Sequence, residues 1–244
     1  MAGHSKWANI QHRKGRQDAI RGKLFTKLVR EITVAAKMGG PDPDSNPRLR
    51  SAIQEAKKNS MPNDNIKRAV DKATSADAST LDEVTYEGYG PGGVAVIVEA
   101  MTDNKNRTTP QIRNIFGKVG GNMGEAGSVA WQFTKKGYIE IPKSAQTEDQ
   151  LTETLLEAGA DDYEESDESW GIITEADELH TVSKALEEME IEVNSAKLTM
   201  FPNTEIEIGG ETLQKVMKLM ELLDDNDDVQ NVYNNADFNE SELA

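Results

Sequence analysis

The sequence predicts an α+β protein: an N-terminal helical domain followed by two α/β domains, one ferredoxin-like and inserted into the other. Three observations carry this. Apolar residues recur at helical spacing up to about residue 77. Between residues 138 and 202 the patterns follow the order β-α-β-β-α-β. After that block comes a lone helix–strand pair, which cannot bury both of its faces and needs a host elsewhere in the chain.

The helical domain is assigned to residues 1–78. From Lys23, the residues Leu24, Phe25, Leu28, Val29, Ile32, Ala35 and Ala36 form one apolar face. Lys23, Lys27, Arg30 and Lys37 fall on the opposite side as a cationic ridge. Gly39, Gly40 and Pro41 stop this helix. A second begins at "SNPRLRSAIQEAKKN", with Asn46 as N-cap and Pro47 at the first helical position. A third follows in "PNDNIKRAVDKA", and "TSADAST" reads as a linker.

Strands are expected in "EVTYEGYG" and "GVAVIVEAMT", joined by a Gly/Pro turn. "TTPQIRNIFGKVGG" reads as a helix with a Thr cap, preceded by a loop holding Asn104, Lys105, Asn106 and Arg107. "SVAWQF" reads as another strand, and a hairpin turn at "TKKG" leads into "YIEIP". Helix 148–158, strands near 160–165 and 170–175, helix 177–189 and strand 192–201 complete the ferredoxin-like order. "ETLQKVMKLMELLDD" and "VQNVYNN" are the orphan pair. The domains therefore run 1–78, 79–136 with 203–244, and 137–202 as the insert.

Charge follows this partition. The 244 residues carry a net −16, yet residues 1–72 hold 16 Lys and Arg against 7 Asp and Glu, a net of +9. The remainder carries −25, with 18 acids against 3 bases in 137–202. A basic module on an acidic body points to a polyanion partner gripped at one end and repelled elsewhere. There is no cysteine, no apolar run of membrane-spanning length and no apolar core of a signal peptide. A cytoplasmic protein is expected, without a membrane partner or small-molecule substrate.

Several motifs are set aside. "GYGPGG" at 88–93 lies between two strands rather than before a helix, so a structural turn is expected, not a phosphate loop. "DDNDDV" at 224–229 has Val229 where a calcium loop needs Gly, and is read as a solvated helix end. His4, His12 and His180 are the only histidines and lack metal-ligand spacing. No catalytic constellation, metal or cofactor is expected, and the protein is not read as an enzyme.

The expected nucleic-acid-binding set begins in the arm with His4, Ser5, Lys6, Trp7, His12, Arg13, Lys14 and Arg16. It continues through Arg21, Lys23, Lys27, Arg30 and Lys37 to Arg50 and Lys57. Lys105, Arg107, Arg113 and Lys118 form a secondary group. Trp7 has two readings: an anchor docking the arm on the helical domain, or a platform stacking on a base.

Seven stretches then act as a set: "AGHSKWANIQHRK", "RGKLFTKLVREI", "NPRLRSAI", "MPNDNIKRA", "YEGYGPGG", "TDNKNRT" and "GSVAWQF". Together they resemble the YebC/PmpR family, relatives of the mitochondrial translational activator of cytochrome oxidase. The resemblance implies three domains, the first a helical bundle, and a non-enzymatic role in bacterial gene expression. Members are described either as DNA-binding transcriptional regulators or as translation factors acting on the ribosome. With Met1 directly before AGHSKW, a bacterial cytoplasmic form without a transit peptide is expected. No helix-turn-helix, homeodomain or zinc-finger signature is present, and phosphate contacts position without reading sequence. Ribosomal RNA is therefore the preferred partner, duplex DNA the runner-up, and a protein-binding adaptor using its acidic domains the third reading. Nothing in the sequence requires more than a monomer.

Overall fold

The computed structural model describes residues 17–74, 81–166 and 169–238, with the side chains of the first helix from Gly22 onward. The arm residues His4 to Arg16, the side chain of Arg21 and most of the predicted linker lie outside these described residues. Two compact units form, one of them Gln132–Thr204 and the other built from the chain on both sides of it.

The helical part comprises α1 (Gln17–Gly39), α2 (Pro47–Lys58) and α3 (Asn63–Thr74). They share a core of Leu28, Ile32, Ala35, Leu49, Ala56, Ile66 and Ala69. The α1–α2 corner turns on Asn46, which is buried. Its Oδ1 accepts from Leu49 N–H at 3.1 Å, capping α2, while its Nδ2 donates to the carbonyls of Ala35 and Gly40, each at 2.8 Å. Gly40, at φ 91°, supplies the left-handed residue that ends α1.

The next elements are β1 (Asp82–Tyr89), β2 (Ala95–Thr102), α4 (Lys105–Lys118), β3 (Asn122–Met123), β4 (Phe133–Pro142) and α5 (Glu148–Ala158). Then follow β5 (Asp162–Glu165), β6 (Ser169–Glu175), α6 (Leu179–Glu188) and β7 (Ser195–Pro202). The chain continues with β8 (Ile206–Glu207), α7 (Gly210–Asp224), β9 (Val229–Asn234) and β10 (Ala236–Asp237).

One four-stranded sheet has the order β3-β1-β2-β9. Its last strand comes from the far side of the Gln132–Thr204 unit, and Val98 of β2 faces Val232 of β9 in antiparallel register. Helices α4 and α7 pack on this sheet through Phe116, Ile112, Leu219 and Leu223, against Val96 and Val98. The second sheet, β5-β6-β4-β7, is antiparallel throughout. Its core joins Ile139, Ile141, Trp170 and Ile172 to Leu151, Leu155, Val182 and Leu186 of α5 and α6.

Three local expectations are corrected. The Thr-capped helix instead starts at Lys105, with the Asn104 side chain accepting from Arg107 N–H at 3.1 Å. The stretch read as a loop is therefore the cap and first turn, and Pro110 lies inside the helix. "SVAWQF" is not a strand: Ala130–Gln132 is a short 3-10 turn and β4 begins at Phe133. "TKKG" is not a hairpin but the start of that ten-residue strand. Its register against β7 runs from Phe133 opposite Pro202 to Glu140 opposite Ser195, a long-range pairing that local turn chemistry cannot reveal. Lys136 sits at the sheet rim between Asp161 and Glu175.

"GYGPGG" is a strand-to-strand turn, with Pro91–Gly93 forming a 3-10 turn between β1 and β2. Just before it, Glu87 is a buried carboxylate that accepts 2.7 Å hydrogen bonds from the backbone N–H groups of Gly127, Val129 and Ala130. Burial alone would push this carboxyl up, but the three donors hold it below its ordinary value.

Candidate nucleic-acid interface

Helix α1 has two engaged faces. One enters the helical core, and the other carries Lys23, Lys27 and Arg30 at helical spacing i, i+4 and i+7. Across from it lies the C-terminal end of α7 with the acidic turn that follows. Lys23 pairs with Asp225 and Lys27 with Asp224, each at 2.5 Å, and Arg30 pairs with Asp228 at 3.0 Å. Arg30 also donates to the carbonyls of Met101 and Asp227. Four aspartates at a helix C-terminus oppose the helix dipole, and the α1 cations offset that penalty. The run expected to be a solvated helix end is thus engaged by the ridge expected to face solvent. Nothing local in either stretch encodes this, because their partnership spans almost the whole chain.

Asp228 is the centre of the arrangement, with its side chain only 4% exposed. Its Oδ2 accepts from Arg107 Nη2 at 2.7 Å and from the hydroxyl of Thr108 at 2.6 Å. The Thr102 hydroxyl lies 3.3 Å from the same oxygen. Burial alone would raise this carboxyl, but the bonds from Arg107 and Thr108 and the charge of Arg30 hold it below the usual range. A second clasp is formed by Arg48 of α2, which holds Glu31 of α1 at 2.7 Å and Glu83 of β1 at 2.6 Å. Arg48 is not among the residues that the sequence singles out, and Asp228 enters there only within the "DDNDDV" run. The available signal was only global, a basic segment and an acidic end of complementary charge.

The remaining candidates divide cleanly. Lys37, Arg50 and Lys57 are exposed and have no ion pair among the described residues. Arg50 and Lys57 are two turns apart on one side of α2. Lys67 of α3 is likewise exposed and has no ion pair among the described residues. In the secondary group, Lys105 pairs with Asp82 at 3.3 Å, and Arg107 is committed to Asp103 and Asp228. Arg113 and Lys118 are exposed on α4, with no ion pair among the described residues. No helix among the described residues is long and apolar enough to cross a membrane.

Comparison with known proteins covers the whole of this arrangement. The model for the TACO1/YebC protein N-terminal domain matches residues 5–76, and that for the TACO1/YebC second and third domain matches residues 81–236. A probable transcriptional regulatory protein from Desulfosudis oleivorans is 53% identical over 242 residues, covering 99% of this chain and 98% of its own. One from Geobacter sp. (strain M21) is 52% identical over 244 residues, covering 100% of this chain and 98% of its own. The crystal structure of a conserved hypothetical protein from Aquifex aeolicus superposes with a TM-score of 0.90 at 46% identity, covering 98% of this chain and 99% of that one. The chain is a mixed α+β member of the TACO1/YebC family.

Proposed function

We infer that this protein is a non-enzymatic, cytoplasmic regulator of gene expression that grips a nucleic-acid backbone through its N-terminal helical domain, with ribosomal RNA as the preferred target. The observation that carries the reading is the exposed set Lys37, Arg50 and Lys57, with Lys67 of α3 likewise exposed, all free of ion pairs among the described residues. Cations without internal partners are available to neutralise phosphates and release counterions. Lysines and arginines spread over helices, without a recognised base-reading signature, favour recognition of backbone and shape. RNA duplexes suit that mode, because side chains cannot read their deep major groove. The arm from His4 to Arg16, including Trp7, would extend the same face.

Duplex DNA is the second reading, supported by the name "probable transcriptional regulatory protein" borne by relatives of about half-identical sequence. Sedimentation of a cell extract, with and without nuclease, separates the two. Nuclease-sensitive co-migration with ribosomal subunits supports the RNA target. Absence from those fractions, together with protection of a promoter fragment, supports DNA. In purified protein, each of K37A, R50A and K57A should weaken binding and lower the log–log salt slope by about one. Unchanged slopes in all three variants would remove this face from consideration.

A further inference from the structure

We propose that the acidic end of α7 is an internal polyanion mimic masking the α1 ridge, so that a nucleic-acid backbone reaches Lys23 and Lys27 only by displacing Asp225 and Asp224. This rests on the reading of the helical domain as a nucleic-acid binder and adds a regulation of it: part of the binding face is self-occupied.

The pairs along the ridge are graded. At the inner end, Asp228 is 4% exposed and shared with Arg107 and Thr108, so it is a fixed part of the fold. In the middle, the Lys27 and Asp224 side chains are 17% and 35% exposed. At the outer end, those of Lys23 and Asp225 are 42% and 57% exposed. Exposed ion pairs contribute little and are screened by salt, so the Lys23–Asp225 pair is the readily exchanged one. The half-buried Lys27–Asp224 pair is next along the ridge and follows it, whereas Asp228 is locked by Arg107 and Thr108. A phosphate offers a lysine the same chemistry as a carboxylate, and one strand presents many at once. The negative end of the α7 dipole adds to the Asp224 and Asp225 charges, which makes the mask a focused one. Lys23 and Lys27 stand about 6 Å apart along α1, so a single strand passing the ridge can address both once the carboxylates move aside.

The test uses the full chain carrying D224N/D225N, titrated with a labelled RNA of about 20 nucleotides and a DNA duplex of the same length, at about 50 to 200 mM salt. Neutralising the mask should tighten binding about three- to tenfold. A control, E153Q/E157Q, makes the same change in net charge at exposed positions of α5. It should stay within about twofold of the parent, because Lys23 and Lys27 pair with Asp225 and Asp224 rather than with these carboxylates. Adding K23A/K27A to D224N/D225N should cancel the gain, because the uncovered site is then gone. Equal gains in the mask and control variants, or a gain that survives K23A/K27A, overturns the mask and leaves the binding reading standing. If neither the parent nor any variant binds either nucleic acid, the binding reading itself fails and the mask falls with it. Urea unfolding of each variant accompanies the titrations, so that a lost gain is not mistaken for a lost fold.

Discussion

Arg107 donates to the Asp228 carboxylate at 2.7 Å across 121 residues of sequence, while Arg30 of α1 holds the other oxygen of the same group at 3.0 Å. One buried acid therefore binds three stretches of chain that are distant in sequence. Removing it in D228A leaves Arg30, Thr102 and Thr108 facing a void. That should cost about 3 kcal/mol in urea unfolding, the low end for a broken buried pair because the arginines keep some access to water. D228N keeps one acceptor oxygen and should recover part of the loss.

Glu87 carries a signed pH dependence. Its carboxyl is held below the ordinary value of 4.5 in the folded state, so its contribution is complete above that value. It is lost as the pH falls through the lower folded-state pKa. E87Q should therefore be less stable than the parent near neutral pH, by about 1–2 kcal/mol, because the amide keeps one neutral acceptor oxygen and turns its NH2 toward at least one backbone N–H. The gap between the two proteins should close as the pH is lowered. A gap that is constant with pH would show that the charge is not what holds the 124–130 loop.

Asn46 fills three roles with one side chain, and its replacement separates them. N46A removes the α2 cap and strips the buried donors from the Ala35 and Gly40 carbonyls, for about 2–3 kcal/mol in thermal unfolding. N46D keeps the cap acceptor but turns a charge toward two carbonyl oxygens. It should be no better than N46A, whereas a pure capping role predicts full rescue.

In the ferredoxin-like unit, Tyr138 lies over Gly171. A Cβ at Gly171 would collide with the tyrosine oxygen and with the edge of its ring. G171A should destabilise this unit by about 1–3 kcal/mol through overpacking. In the double variant G171A/Y138A the clash disappears, so the two costs should combine with strong non-additivity in thermal melts.

How far the sequence could be read depended on whether the signal was local. The cap at Asn46 and the glycine stop after α1 rest on neighbours in the chain, and short-range chemistry finds them. The start of α4 was misplaced because Asn104 and Thr108 compete for the same capping role, and the Thr108 hydroxyl is taken by Asp228. "TKKG" looked like a turn because its partner strand lies some sixty residues away. The ridge of α1 was visible as a charge pattern, but its occupant was not. Helical periodicity reports that a face is polar, and it cannot distinguish a face that meets water from one that meets aspartates.

The placement of β9 also sets an order of events during synthesis. The β3-β1-β2-β9 sheet lacks its fourth strand until residues Val229–Asn234 have left the ribosome, after the entire Gln132–Thr204 unit has been made. Domains generally fold in order of emergence, and pairings this distant are slow to close. Until then Lys23, Lys27 and Arg30 have no aspartates to meet, so the youngest form of the molecule is also its most cationic.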